Sequence, residues 1–123
     1  MINLQYNKKD KILFANYLGE IDKKDILNYY DELFNYKDLS SSLLILQTET
    51  KAVFVNSEEN IKAPIESIKL LLKEYDYIKI AILQTEPIKT AYSMLFQDIT
   101  LELENFNAEV FSTKEAAMRW LKN

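Results

Sequence analysis

Cysteine and histidine are both absent from the 123 residues; glycine and arginine occur once each, as Gly19 and Arg119, and proline twice. Each gap closes off a class of chemistry. Without cysteine there is no disulfide, thiol nucleophile or cysteine metal site, and the default compartment is the cytoplasm. Without histidine the commonest acid–base group near neutral pH and the commonest metal ligand are missing. One glycine cannot build a glycine-rich phosphate loop, and one arginine leaves little for a bidentate grip on phosphate. No G-x-S-x-G, H-E-x-x-H or EF-hand spacing occurs, and no cofactor is implied. No run of about 18 apolar residues exists to span a membrane. The opening residues Met1–Tyr6 lack the basic region and apolar core of a secretory signal. Nineteen acidic against 15 basic residues give a net charge of −4, which does not suit a general nucleic-acid binder.

The hydrophobic fraction is 48%, ample for a core in a chain of this length, and so little glycine and proline leaves no room for linkers. The chain therefore reads as one domain, residues 1–123. Its most informative stretch is Ile78–Gln84, five of whose seven residues are aliphatic. It is too short for a typical helix and is followed by Thr85-Glu86-Pro87. Such a segment reads as a parallel strand covered on both faces that hands over to a helix.

Around it, Ile2, Leu4 and Tyr6 alternate with polar residues as an edge strand, and Lys11–Leu18 forms its antiparallel partner. Asp22 with Asp25 predicts a capping box opening a helix over Lys23–Tyr36. Leu43–Leu46 is the third strand, and Gln47–Asn56 is irregular, with Val53–Val55 a short extended piece. Ser57 caps a helix that opens with Glu58 and Glu59, whose carboxylates suit a helix N-terminus. Pro64 demands either a short turn at 57–62 before a helix beginning near Pro64, or one kinked helix. Pro87 opens the longest helix, to about Asn105, with Ile88, Tyr92, Leu95, Ile99 and Leu103 along its apolar face and Asp98, Glu102 and Glu104 on a solvated one. A short strand over 106–111 precedes the S-x-x-E box Ser112–Glu115 and a last helix with Ala116, Trp120 and Leu121 inward. The order is ββαβαβαβα: a mixed five-stranded sheet with four main helices.

The runs Ala91–Gln97 and Ala108–Leu121, with the Gly19-Glu20-Ile21 turn into Asp22 and the Leu43–Leu46 strand, resemble the SpoIIAA-like STAS family (sulfate transporters and anti-sigma-factor antagonists) over nearly the whole chain. The matching positions are mostly hydrophobic ones that report a fold. The resemblance implies a βα superhelix with strands in sequential order and most helices on one side. An apolar sheet face left uncovered would then serve self-association. The resemblance also implies a regulatory serine in an Asp-Ser pair before the second helix, a position that Ser57 occupies. Here Asn56 replaces the aspartate, and Glu58 and Glu59 replace the following Ser-Gly; repulsion from these carboxylates disfavours a phosphate. Helix capping is the simpler role for Ser57.

Candidate ligand residues come from two places. The repeated phrase Ile-Leu-Gln-Thr-Glu ends at Glu49 and at Glu86, and strand ends are where open α/β sheets bind ligands. Thr48, Glu49, Thr85 and Glu86 would then line one groove, or simply satisfy loop amides and helix caps. Phe54, Tyr92 and Phe96 are the aromatic candidates for a pocket beside the 88–104 helix. The leading reading is a non-enzymatic protein-interaction or regulatory module that docks on a protein partner or on itself. A small apolar-ligand or lipid-binding protein is the alternative. A hydrolase built on paired Glu49 and Glu86 comes third, and it requires both carboxylates to meet in one cleft.

Overall fold

A computed structural model describes every residue except Asn56 and the side chain of Ser57. Five strands, β1 (Ile2–Asn7), β2 (Ile12–Ile21), β3 (Ser42–Phe54), β4 (Tyr77–Leu83) and β5 (Phe106–Phe111), form one sheet in the order β1-β2-β3-β4-β5. β1 runs antiparallel to β2 and every other pairing is parallel. The helices are α1 (Lys23–Asn35), α2 (Ser57–Lys62), α3 (Pro64–Leu71), α4 (Pro87–Thr100) and α5 (Lys114–Leu121). The predicted order holds, and the first of the two Pro64 alternatives is the one adopted, with proline in the opening turn of α3.

Strand order equals chain order, so right-handed crossovers carry α1 through α4 to one side. Their side chains Ile26, Tyr29, Leu33, Ile68, Leu71 and Phe96 pack on Leu13, Leu43, Ile45, Ile78 and Ile80 to form the main core. The sheet's second face, expected to be lightly covered and to need a lid or a partner, has a lid: α5 crosses to it and buries Ala117 and Leu121 against Ile12, Leu46 and Ala81. Trp120 completes the cover, stacked near Phe111 and Lys79. The apolar surface left for an interface is therefore elsewhere.

The Asp22–Asp25 capping box forms in both directions, each side chain accepting the other's backbone N–H at 2.9 and 3.0 Å. At α5 the cap is Thr113 rather than Ser112, its hydroxyl accepting from the Ala116 amide. Gly19 lies in β2 at φ +69°, a left-handed conformation that strains any residue with a Cβ; a Cβ there would meet nothing within 4 Å.

Two departures from expectation place the site. β3 does not stop at Leu46; it continues through the polar Gln47–Lys51 to Phe54. Opposite Tyr17 it holds an extra residue, since Asn16 pairs with Thr48 and Leu18 with Lys51. This bulge switches the alternation. Leu43, Ile45 and Gln47 are buried before it, Glu49 within it and Ala52 after it. The second departure is the setting of α4. It ends at Thr100, and its buried residues are Ser93, Phe96 and Thr100. Ile88, Tyr92, Leu95 and Ile99, the face expected to pack inward, point to solvent.

Candidate functional site

Under α4, where β2, β3, α1 and α2 meet, lies a cavity of about 60 Å³ lined by Tyr17, Ile26, Tyr30, Gln47, Glu49, Phe54, Asn60, Ile61, Pro64, Ile82, Tyr92, Ser93 and Phe96. Its walls are mainly aromatic and aliphatic, and its polar groups come from β3, α2 and α4. Bulges in sheets commonly re-aim side chains next to functional sites. Here Glu49 and Thr50 are the two bulge residues opposite Tyr17, and Glu49, 5% exposed, is the one buried carboxylate among the described residues.

Glu49 accepts hydrogen bonds from the Gln47 Nε2 and, at 3.2 Å, from the Ser93 hydroxyl. Among the described residues no lysine or arginine pairs with it. Burial therefore governs its ionisation: removal from water pushes the carboxyl up from 4.5 to about 7, although both hydrogen bonds favour the charged form. Tyr17, Tyr29 and Tyr30 face the same region, and burial holds all three hydroxyls neutral, with the Glu49 charge acting the same way. Lys89, one turn before Ser93 on α4, gives its ammonium to the Ala52 carbonyl at 2.7 Å and to Glu86 at 3.2 Å.

Among the described residues three buried polar atoms have no partner: Gln47 Oε1, Asn60 Oδ1 and the Tyr29 hydroxyl. The two amides cannot be relieved by turning over. Asn60 donates from Nδ2 to the carbonyls of Val55 at 2.7 Å and Ile21 at 3.3 Å, and Gln47 donates to the Glu49 carboxylate. Reversal would set oxygen against oxygen at Asn60, and at Gln47 whenever Glu49 is ionised. A buried polar atom left without a partner costs roughly 1–3 kcal/mol.

Of the residues chosen from the sequence, Glu49, Phe54, Tyr92 and Phe96 come together around this cavity. Thr48 does not: it lies on the opposite face of β3, in a surface depression with Phe14, Asn16 and Lys114. Thr85 borders a separate open groove with Pro87, Glu109 and Ser112. Glu86 is exposed at the N-cap of α4 and pairs with Lys89. The two Gln-Thr-Glu phrases thus do not share a groove. Ile45 pairs with Ile80, not Ile82, so the phrases are offset by two residues. Gln84 serves instead as a clamp, donating to the Glu49 carbonyl and accepting from the Thr85 and Glu86 amides. The two-carboxylate arrangement is not formed. Among the described residues there is also no group of three or more acidic side chains placed to hold a metal, and no helix long and apolar enough to cross a membrane. The expectation for Ser57 concerns a side chain outside the described residues.

Sequence reasoning missed Tyr17, Asn60 and Ser93. Ser93 carried a signal: it interrupts the inner face of α4 with a small hydroxyl beside aromatic neighbours. Asn60 carried none, since a single asparagine in a short acidic helix reads as surface.

No protein-family model matches the chain, and comparison with curated proteins finds no match. Solved structures do match. An uncharacterised protein of the DUF3478 family from Shewanella loihica PV-4, described as having a SpoIIAA-like fold, aligns with a TM-score of 0.60 at 17% identity, over 98% of this chain and 92% of its own. The anti-sigma factor antagonist SpoIIAA in its unphosphorylated form aligns with a TM-score of 0.52 at 10% identity, over 100% and 99%. The fold is SpoIIAA-like.

Proposed function

We propose that the protein is a non-enzymatic interaction module that docks through the outer face of α4. The observation that carries this reading is the exposed row Ile88, Tyr92, Leu95 and Ile99, with Ile88 at 69% and Leu95 at 49% exposure. Single exposed apolar residues need no explanation, but a contiguous row of this kind marks an interaction surface. SpoIIAA, which shares the fold, is an antagonist of an anti-sigma factor, and so acts on another protein. The lack of cysteine fits a cytoplasmic setting.

The partner that fits is a second copy. The row is spaced 4-3-4, which reads the same from both ends. A two-fold axis between positions 93 and 94 would set Ile88 against Ile99 and Tyr92 against Leu95 of the other subunit, a self-complementary contact. It would also bring the positive N-terminal end of each α4 to Asp98 and Glu102 of its mate. α4 has no basic residue in its own last turn to meet that charge. Burying these half-exposed side chains is worth roughly 1 kcal/mol each. For four side chains on each of two copies, against an association cost of at least about 4 kcal/mol, this leaves at most about 4 kcal/mol and puts the dimer near the millimolar range.

Sedimentation equilibrium from about 10 µM to about 1 mM, which reaches that range, tests it. A monomer–dimer equilibrium weakened at least about tenfold by Leu95→Glu, with folding intact, is expected. A monomer throughout, or a dimer indifferent to Leu95→Glu, would refute it. A second reading, a small-ligand binding protein, is supported by the cavity that Phe54, Tyr92 and Phe96 line with Glu49.

A further inference from the structure

Resting on that second reading, we infer that the cavity beneath α4 is a site for a small organic ammonium ion: a primary amine carrying a short apolar tail.

Three features select this class together. The first is hydrogen-bonding sense. The carboxylate of Glu49 and the unpartnered Gln47 Oε1 and Asn60 Oδ1 are all acceptors, on residues that line one cavity. The amide nitrogens that could have donated are committed to Glu49, Val55 and Ile21. The hydroxyls of Tyr17, Tyr30 and Ser93 can donate or accept, so an occupant that brings several N–H donors, as a protonated amine does, fits this lining, whereas a carboxylate or phosphate would set like charge against Glu49. The second is charge. Glu49 has no cationic partner among the described residues, and Lys89 spends its ammonium on Ala52 and Glu86. A buried carboxylate without a counter-ion is costly, and an incoming cation supplies one. The third is the wall. Tyr17, Tyr30, Phe54, Tyr92 and Phe96 present aromatic rings, the surroundings that attract ammonium groups and their alkyl chains.

Volume sets the size. At about 60 Å³, the cavity holds roughly four to six water-sized positions, enough for about five non-hydrogen atoms. Tyr92 stands at 41% exposure on α4 while also lining the cavity, so it forms the mouth through which such a molecule would enter. A metal ion is a poor match. Only one carboxylate is present, and with the two amide oxygens the set falls well short of the six to eight oxygen ligands that calcium takes.

The test uses the full chain, isotopically labelled, and follows amide chemical shifts during titration with n-butylammonium chloride, n-butanol and sodium butyrate. These probes share a tail and differ in head group. Saturable shifts at Glu49, Ser93 and Tyr92 with n-butylammonium are expected, with n-butanol at least about tenfold weaker and butyrate silent. Glu49→Gln should remove at least about tenfold of the ammonium affinity, bringing n-butylammonium close to n-butanol. If that variant does not fold, the wild-type protein carries the test. Affinity for n-butylammonium should rise about tenfold from pH 6 to pH 8 as Glu49 ionises, because Tyr17, Tyr29 and Tyr30, the other titratable groups facing it, stay neutral. Equal binding of butanol and butylammonium would overturn the ammonium class yet keep an apolar pocket. No binding of any probe, the result if water alone fills the space, would overturn both.

Discussion

Replacing Glu49 by Gln takes the charge out of the one buried carboxylate among the described residues while keeping its shape. The oxygen still accepts from Gln47 or Ser93, and the new amide finds acceptors in Gln47 Oε1, otherwise without a partner, and in the Ser93 hydroxyl. In the unfolded chain the Glu49 carboxyl ionises near 4.5, and in the folded protein near 7. Below the first value both states hold the proton, and nothing distinguishes them. Between the two, the folded protein keeps a proton that the unfolded chain has released, so stability falls as pH rises. Above about 7 both are ionised, and the folded state carries the whole cost of a buried charge. At 1.4 kcal/mol per tenfold, that cost is roughly 3 kcal/mol. With urea slopes of roughly 1–3 kcal/mol per molar, the wild-type midpoint should drop by at least about 1 M between pH 5 and pH 8. The Glu49→Gln midpoint should hold near the wild-type pH 5 value throughout. Asp22 does not disturb this window. Its carboxyl is lowered from 3.8, chiefly by the Asp25 backbone amide, so its contribution is lost only in more acid solution. Urea unfolding followed by circular dichroism at pH 5, 6, 7 and 8 decides the matter. Parallel wild-type and variant profiles would refute the account of Glu49 as a carboxyl displaced by burial.

Other substitutions probe the scaffold. Gly19→Ala should cost roughly 1–2 kcal/mol from backbone strain alone, since the space around it is open; Gly19→Asn should cost less, and urea midpoints would separate them. Thr113→Ala should remove about 1 kcal/mol by uncapping α5, whereas Ser112→Ala should be nearly silent, which a thermal melt of each would show. Leu95→Glu should leave the thermal midpoint of the monomer within a few degrees of wild type while weakening self-association, because the side chain is half in water already.

Most of the architecture could be read from residues whose local chemistry and tertiary role agree. Ile78–Ile82 is apolar on both sides because it is packed on both sides. Asp22 and Pro87 open helices where their backbone preferences suit an opening. The misreadings cluster at the candidate site. Gln47 and Glu49 are polar but buried, so the pattern alone ends β3 at Leu46, inside an element that runs through thirteen residues. The extra residue opposite Tyr17 then puts Ala52 out of phase with the first half of the strand. On α4 the apolar periodicity is real, but periodicity reports that a face exists and not what it faces. The side that turns inward is the one bearing Ser93, whose hydroxyl reaches Glu49. Thr85 and Glu86 have the residue types of ligand contacts, yet Gln84, one position earlier, is what ties the strand end to Glu49.

The sequential strand order bears on how this protein is made. Each new strand emerging during synthesis finds the neighbour it pairs with already in place, so the sheet can grow by accretion from the N-terminal hairpin onward. α5 alone must travel to the opposite side. Until it arrives, Ile12, Leu46 and Ala81 have no roof, and a nascent chain stalled before Lys114 would present that strip to chaperones or to its neighbours on the polysome.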